Sequence, residues 1–250
     1  HPHSSSTTMA SMFELLMNLP LFRGVSRSRI AEVVGSAKFH FLKYPKGETV
    51  VRAGEECTHL AFVISGSVRS EISNSSKRFS VSQTLKAPSA IAPDFLFGRT
   101  TRYPGTVVAL TDCSILKISK VDYIRILNAD QVFMFNFLNT LSVNAQKALD
   151  GILALTSGGL DERIAFWIIA LTQPGSEDIE LTCKTRDLCN LFSVQRNVFD
   201  AACHEMEQRN LIRYSPRKIE IVDRREMLSL LERQSETQED VPGQLKVENE

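Results

Sequence analysis

Residues 184–222 read KTRDLCNLFSVQRNVFDAACHEMEQRNLIRYSPRKIEIV, and the fold turns on this stretch. Thr185 to Phe192 has the spacing of a short helix, Ser193 marks a turn, and Gln195 to Arg209 predicts a second helix with Val198, Ala202 and Met206 facing inward. Two alternating segments follow, Leu211 to Tyr214 and Lys218 to Val222, separated by Ser215-Pro216-Arg217. Helix, tight turn, helix and small hairpin together predict a winged helix-turn-helix.

Upstream, Ser157-Gly158-Gly159 breaks the chain, and Asp161 is expected to cap a helix over Arg163 to Leu171. From Gln131 no Gly or Pro occurs until Gly151, and Met134, Leu138, Leu141, Ala145, Ala148, Ile152 and Leu155 step by alternating fours and threes. A surface helix packed on its own domain shows a wider apolar stripe. The strict seam instead predicts one long helix pairing with its copy in a second chain. Ser119 is expected to cap a short helix through Val121, Ile124 and Leu127.

The first half is strand-like. Glu48 to Val51, His59 to Ile64, Ser67 to Ile72, Phe79 to Leu85 and Thr106 to Leu110 are rich in Val, Ile, Phe and Thr, with Gly and Pro punctuating them. Such strands predict a sandwich or barrel. The expected class is therefore α+β. Residues 1–11 are expected to be a flexible flank, with Met9 and Met12 both candidate starts. A β-roll follows over 12–118, the short and dimerisation helices over 119–157, the winged helix-turn-helix over 158–231, and a disordered acidic tail over 232–250.

Composition agrees: 250 residues at 43% apolar and 23% charged suit one or two globular domains. The longest apolar run, Ala165 to Leu171, falls far short of the roughly 18 residues a membrane span needs, and no cationic segment leads into an apolar one. A soluble cytoplasmic protein is expected. Its five cysteines, Cys57, Cys113, Cys183, Cys189 and Cys203, form no C-x-x-C pair and read as small buried hydrophobes. The zero net charge hides a basic half, with 14 Lys and Arg against 7 Asp and Glu between Leu21 and Ile118.

The second helix of a helix-turn-helix enters the major groove with its first residues at base edges. Those residues here are Gln195, Arg196 and Asn197. Arg grips guanine with two donors, and Asn or Gln pairs with adenine, so this is base-reading chemistry. Lys184, Thr185, Arg186, Arg217 and Lys218 flank the same face as phosphate donors, with Arg213 beside them. No H-E-x-x-H, G-x-S-x-G, Walker A or G-x-G-x-x-G string occurs, and an enzyme is not expected.

The order of β-roll, long helix, Gly hinge and winged head resembles the bacterial cyclic-AMP receptor protein and FNR superfamily of transcription factors. The resemblance covers Met12 to Val222 and rests on four strings in shared order. These are Lys46-Gly47-Glu48 with Ala53-Gly54-Glu55, Phe62 to Val68 (FVISGSV), Leu160 to Ala165 (LDERIA), and Met206 to Ile212 (MEQRNLI). The resemblance places Arg196 and Asn197 on the family's leading base-reading positions, and its third reader on Ala201, which cannot hydrogen-bond. It implies a homodimer, a palindromic double-stranded DNA operator and RNA polymerase as partners, and no membrane. It also implies an effector pocket around Asp94, Phe95, Phe97, Arg102, Tyr103, Ala148 and Leu149.

Cyclic-nucleotide-binding members resemble one another in a Gly-Glu, short loop, Arg-Ser cassette. Here the matching stretch is Ala92 to Phe97 and then Arg102-Tyr103-Pro104-Gly105, without the Gly-Glu. The family's adenine-facing Thr-Ser pair falls on Ala148 and Leu149. Cyclic AMP is therefore not expected as effector. No iron-sulfur cluster is expected either, since no cysteine precedes Cys57. One branch of the family holds haem, for which His59, His40 or a Met are the candidate ligands; no other metal site is expected. A nucleotide-binding module without DNA output is the alternative of another class.

Overall fold

The structure is a computed structural model that describes residues 13–156 and 158–229; the expected flank 1–11 and acidic tail 232–250 lie outside the described residues. Eight strands build the N-terminal roll: β1 Phe39–Tyr44, β2 Thr49–Val51, β3 His59–Ser65, β4 Ser67–Ser73, β5 Phe79–Lys86, β6 Ser89–Ile91, β7 Thr106–Ala109 and β8 Cys113–Ser119. One sheet runs β1-β8-β3-β6, and β2, β7, β4 and β5 lie in the other. Gly66 makes the β3–β4 turn at φ +77°, where a Cβ would strike the backbone of Asp112. The core of the roll includes Phe62, Val68, Leu85, Ile115 and Leu116, all fully or nearly buried. Each such side chain contributes roughly 1.5 to 3 kcal/mol relative to exposure.

Helix α1, Arg27–Ser36, is capped by Ser26, and α2, Lys120–Ala129, by Ser119, whose hydroxyl accepts from the Asp122 amide at 3.2 Å. Tyr123, Ile126 and Leu127 of α2 face the roll, whereas Val121 and Ile124 are exposed. Asp130 caps the long helix α3, Gln131–Leu153, as its Oδ1 accepts from the Val132 amide. Phe133 on α3 meets Phe22 edge-on at 5.4 Å and anchors the helix to the roll.

Gly158, at φ +95°, turns the chain back, and Gly159, not Asp161, caps α4, Leu160–Leu171. The C-terminal head then follows: β9 Glu177–Cys183, α5 Thr185–Phe192, α6 Arg196–Gln208, β10 Ile212–Ser215 and β11 Lys218–Ile221. On α6 the buried residues are Phe199, Cys203 and Met206, and Val198 is exposed. Met206 faces inward as expected, while Phe199 and Cys203 take the inward places expected of Val198 and Ala202.

The head does not stand apart from the roll. Strand β9 pairs with β11 on one side and with β5 of the roll on the other, Phe79 opposite Cys183 and Val81 opposite Leu181. A seven-stranded sheet, β10-β11-β9-β5-β4-β7-β2, therefore runs through both parts. Val81 lies in the head's own core, and Phe79 meets Trp167 at 5.3 Å. Arg69 on β4 ties the junction, donating to the Asp178 carbonyl at 2.6 Å, while Lys86 pairs with Glu177 at 2.8 Å.

Candidate nucleic-acid interface and effector cavity

The turn between α5 and α6 is made by Ser193 in the left-handed region at φ 55°, which lets α6 leave with Gln195 as its N-cap. No side chain caps α6, so its first amides stay open. Gln195, Arg196 and Asn197 are exposed together at this end. Arg196 is braced by Asp200 at 3.4 Å, and Asp200 in turn accepts from the Tyr214 hydroxyl at 2.7 Å. The guanidinium is aimed outward by a carboxylate fixed to the wing.

The phosphate donors divide. Lys184, Arg186 and Arg217 are exposed and make no ion pair among the described residues. Thr185 does not belong with them, because it is buried and its hydroxyl donates to the Pro216 carbonyl at 2.8 Å. Lys218 is held 3.0 Å from both Glu180 and Glu220, and Arg213 also reaches Glu220. Lys218, expected as a phosphate donor, therefore shares its charge with two carboxylates, unlike Lys184, Arg186 and Arg217. Cys203 lies on the buried face of α6, where burial pushes its thiol up to about 12. It remains a protonated hydrophobe there.

On α3 the chain's own cores take both ends of the expected seam. Met134 packs against the roll core and Leu155 against the head core. The exposed apolar line is instead Phe135, Leu138, Leu149 and Ile152, with Ser142 and Ala145 continuing its threes and fours. Leu141 is half-buried, and Ala148 is exposed beside Leu149.

A cavity of about 480 Å³ lies between the inner face of the roll, α3 and the end of α4. Of the expected pocket residues it gathers Asp94, Phe95 and Tyr103. Phe97 is not at the cavity, since it packs against Tyr123 and Phe137 in the roll core. Arg102 is exposed and donates to the Gly54 carbonyl, away from the cavity. Ala148 and Leu149 lie on the open side of α3; the helix sends Asn144 and Lys147 to the cavity instead. Asn144 donates to both oxygens of Asp94 at 3.0 Å. Lys147 donates to the Thr172 carbonyl at 2.6 Å; burial foremost, then the Arg224 charge, holds its ammonium below the usual lysine range, with Asp94 opposing. Among the lining residues, Lys147, Gln83 and Asn144 were invisible to motif reading, and only the α3 helical phase singles out Lys147.

Two groups implied by the resemblance meet this cavity poorly. For a cyclic phosphate, Pro93 starts the 3₁₀ turn of the cassette and has no N–H, Asp94 follows it, and Arg102 points elsewhere. These residues do not fit a cyclic nucleotide. For haem, no His, Cys or Met is among the lining residues, while His40 and His59 sit together at 6.0 Å outside it. The cavity residues do not fit haem iron either. Among the described residues no group of three or more His, Cys, Asp or Glu is placed to hold a metal ion.

Residues 41–130 match the cyclic nucleotide-binding domain family. A curated relative, the cAMP-activated global transcriptional regulator CRP of Haemophilus influenzae, is 24% identical over 180 residues, covering 69% of this chain and 80% of that protein. The voltage-gated inwardly rectifying potassium channel KCNH6 of Gallus gallus is 30% identical over 139 residues, which are 52% of this chain but 10% of the channel. Among solved structures, the Thermus thermophilus catabolite activator protein is similar at TM-score 0.48 and 18% identity, covering 85% of this chain and 98% of that one. DNR from Pseudomonas aeruginosa is similar at TM-score 0.41 and 22% identity, covering 86% and 96%. The match to the Haemophilus regulator, at 180 residues, runs well past the 41–130 domain. The chain thus carries a β-roll, a long helix and a winged head in that order; its roll matches the cyclic nucleotide-binding domain family over residues 41–130, and it is similar to a cAMP-activated transcription regulator over 180 residues.

Proposed function

We propose that the protein is a homodimeric, sequence-specific DNA-binding transcription regulator whose roll senses an effector other than cyclic AMP. The observation that carries the reading is the exposed end of α6, where Gln195, Arg196 and Asn197 stand clear of the head with Lys184, Arg186 and Arg217 around them. Arg196 and Asn197 read bases, and the three cations hold phosphates on either side of the groove. The exposed line on α3, from Phe135 to Ile152, supports pairing with a second copy. Two heads about 34 Å apart then match a palindrome whose half-sites lie one helical turn apart. RNA polymerase is the further partner this reading entails. No described helix is long and apolar enough to cross a membrane.

The Gly158-Gly159 break lets the head change its setting against the roll, and the effector acts by biasing that setting. The test is a mobility shift of duplex DNA across a salt series. Binding that weakens steeply with salt and selects one palindrome from a random pool is expected. Absence of binding at low salt overturns the reading. Calorimetry with millimolar cyclic AMP is expected to show no heat; a micromolar site lost in Arg102→Ala would overturn the exclusion.

A further inference from the structure

Two cations, a buried arginine and a half-buried lysine, lie at the junction of roll and head with no carboxylate in ion-pair range among the described residues. Arg224 is 9% exposed, and its guanidinium donates to the Thr172 hydroxyl and to the carbonyls of Ile169 and Thr172. Lys147 comes to the same Thr172 carbonyl from α3. Neither makes an ion pair with a described carboxylate, and burial lowers both from their ordinary values. Buried charges in folded proteins are normally paired, since an uncompensated one is costly. Backbone oxygens compensate these two in part, and the cavity adjoins Lys147.

The opposite wall supplies neutral donors. Gln83 is 3% exposed; its Oε1 accepts from the Gln173 amide at 2.9 Å, and its Nε2 has no partner among the described residues. Ser70, paired with Gln83 across β4 and β5, is 9% exposed, and its hydroxyl is likewise without a partner there. Ile72, Leu85 and Val107 make the floor apolar. The Asp94 carboxylate also lines the cavity, but both of its oxygens accept from Asn144. An ammonium, a free amide and a free hydroxyl around an apolar floor are the complement of an organic acid.

We infer that the cavity takes a small organic anion with an apolar body, its acid group seated on Lys147 and Gln83, and that this anion competes with the docking of the head. The competition follows from shared partners. The Lys147 ammonium holds the Thr172 carbonyl and the Gln83 side chain, through its Oε1, holds the Gln173 amide, so a ligand that repositions these side chains disturbs both bonds to the head. A ligand oxygen that draws them in loosens the end of α4, and with it β9 on β5. The acid lies at the head junction, on the side away from Arg102, so the cassette takes no part. This rests on the regulator reading only for its consequence; the binding itself does not.

The test uses the full chain and anilinonaphthalene sulfonate, a fluorescent organic anion with an apolar body, beside the uncharged phenylnaphthylamine. One sulfonate probe per chain is expected, with affinity falling at least about tenfold in Lys147→Met, kept in Lys147→Arg and unchanged in Arg102→Ala. The uncharged probe should bind wild type and Lys147→Met alike. Amide exchange over 177–183 should quicken when the sulfonate is bound. Equal sulfonate affinity in wild type and Lys147→Met, or the same loss for the uncharged probe, overturns the anion site. Unchanged or slowed exchange overturns the competition. Neither readout involves DNA, so failure here and failure of the regulator reading are separately visible.

Discussion

Gly151 on α3 presents its bare Cα to the Cβ of Ala170 on α4, and a methyl group at position 151 would overlap it deeply. The helix that carries the roll and the helix that carries the head meet at this point. Gly151 is buried, and its neighbour Lys147 reaches Thr172 just beyond Ala170. The close approach sets the docked position of the head, as the backbone here tolerates no side chain.

Gly151→Ala is therefore expected to push α4 outward. Overpacking of this kind costs about 1 to 3 kcal/mol, offset in part by the better helix propensity of Ala. The variant should show faster amide exchange over 177–183 than wild type, and DNA binding less dependent on effector. Wild-type exchange in the variant would mean that α3 and α4 separate freely and that Gly151 does not set the docking.

The second expectation concerns the two faces of α3. Leu138 is 53% exposed, whereas Met134 packs against the roll. Leu138→Glu should leave the fold intact and dissociate the dimer, because the carboxylate would face its own symmetry mate. Met134→Glu should instead destabilise the monomer fold. Light scattering and thermal melts separate the two. A Leu138→Glu dimer of wild-type mass would remove this line from the interface.

The third expectation separates readers from wing structure. Arg196→Ala should cost about 1 to 3 kcal/mol on the cognate site and relax preference at one base pair. Arg217→Ala should weaken all sequences alike and flatten the salt slope by roughly one unit. Lys218→Ala should leave that slope almost unchanged, because its charge already faces Glu180 and Glu220. Competition binding on cognate and random duplexes reads all three. Equal losses on both duplexes for Arg196→Ala would take it off the list of readers.

The contrast between these variants shows where sequence reading reaches and where it stops. The winged head was legible because helix period, the Ser193 turn and the Pro216 hairpin are local signals. Of the expected seam, Met134 packs on the roll core and Leu155, past the end of α3, on the head core, each built from distant chain, while Leu138 and Ile152 stay exposed. A seam and a core contact have the same apolar signature in one dimension. Strand β9 went unread because its partner β5 lies far back in the chain, and β1, β6 and β8 were missed beside it. Thr185 and Lys218 looked alike as phosphate donors by type, and neither the burial of Thr185 against Pro216 nor the two glutamates beside Lys218 leaves a local signal. The cavity was half legible: family alignment found Asp94 and Tyr103, but no motif joins Lys147 to Arg224.

The last expectation concerns stability and pH at Lys147. Its folded-state pKa is lowered from the ordinary lysine value, first by burial and then by Arg224, so the folded protein binds this proton less tightly than the unfolded chain does. Stability from such a group is fully present above the unfolded value and is lost as pH falls through the folded one. At neutral pH the charged, buried ammonium is thus a liability in the ligand-free protein. Replacing an unpaired buried charge by an apolar group of similar length removes that cost, although Lys147→Met also gives up the bond to the Thr172 carbonyl. Lys147→Met is expected to melt higher than wild type near pH 7. Its advantage should shrink as pH rises toward the ordinary lysine value, where wild type sheds the proton and recovers the lost stability. Thermal melts of both proteins at several pH values give the difference curve. A Lys147→Met protein that melts lower at pH 7, or a difference that stays flat with pH, would show that the Thr172 bond outweighs the buried charge.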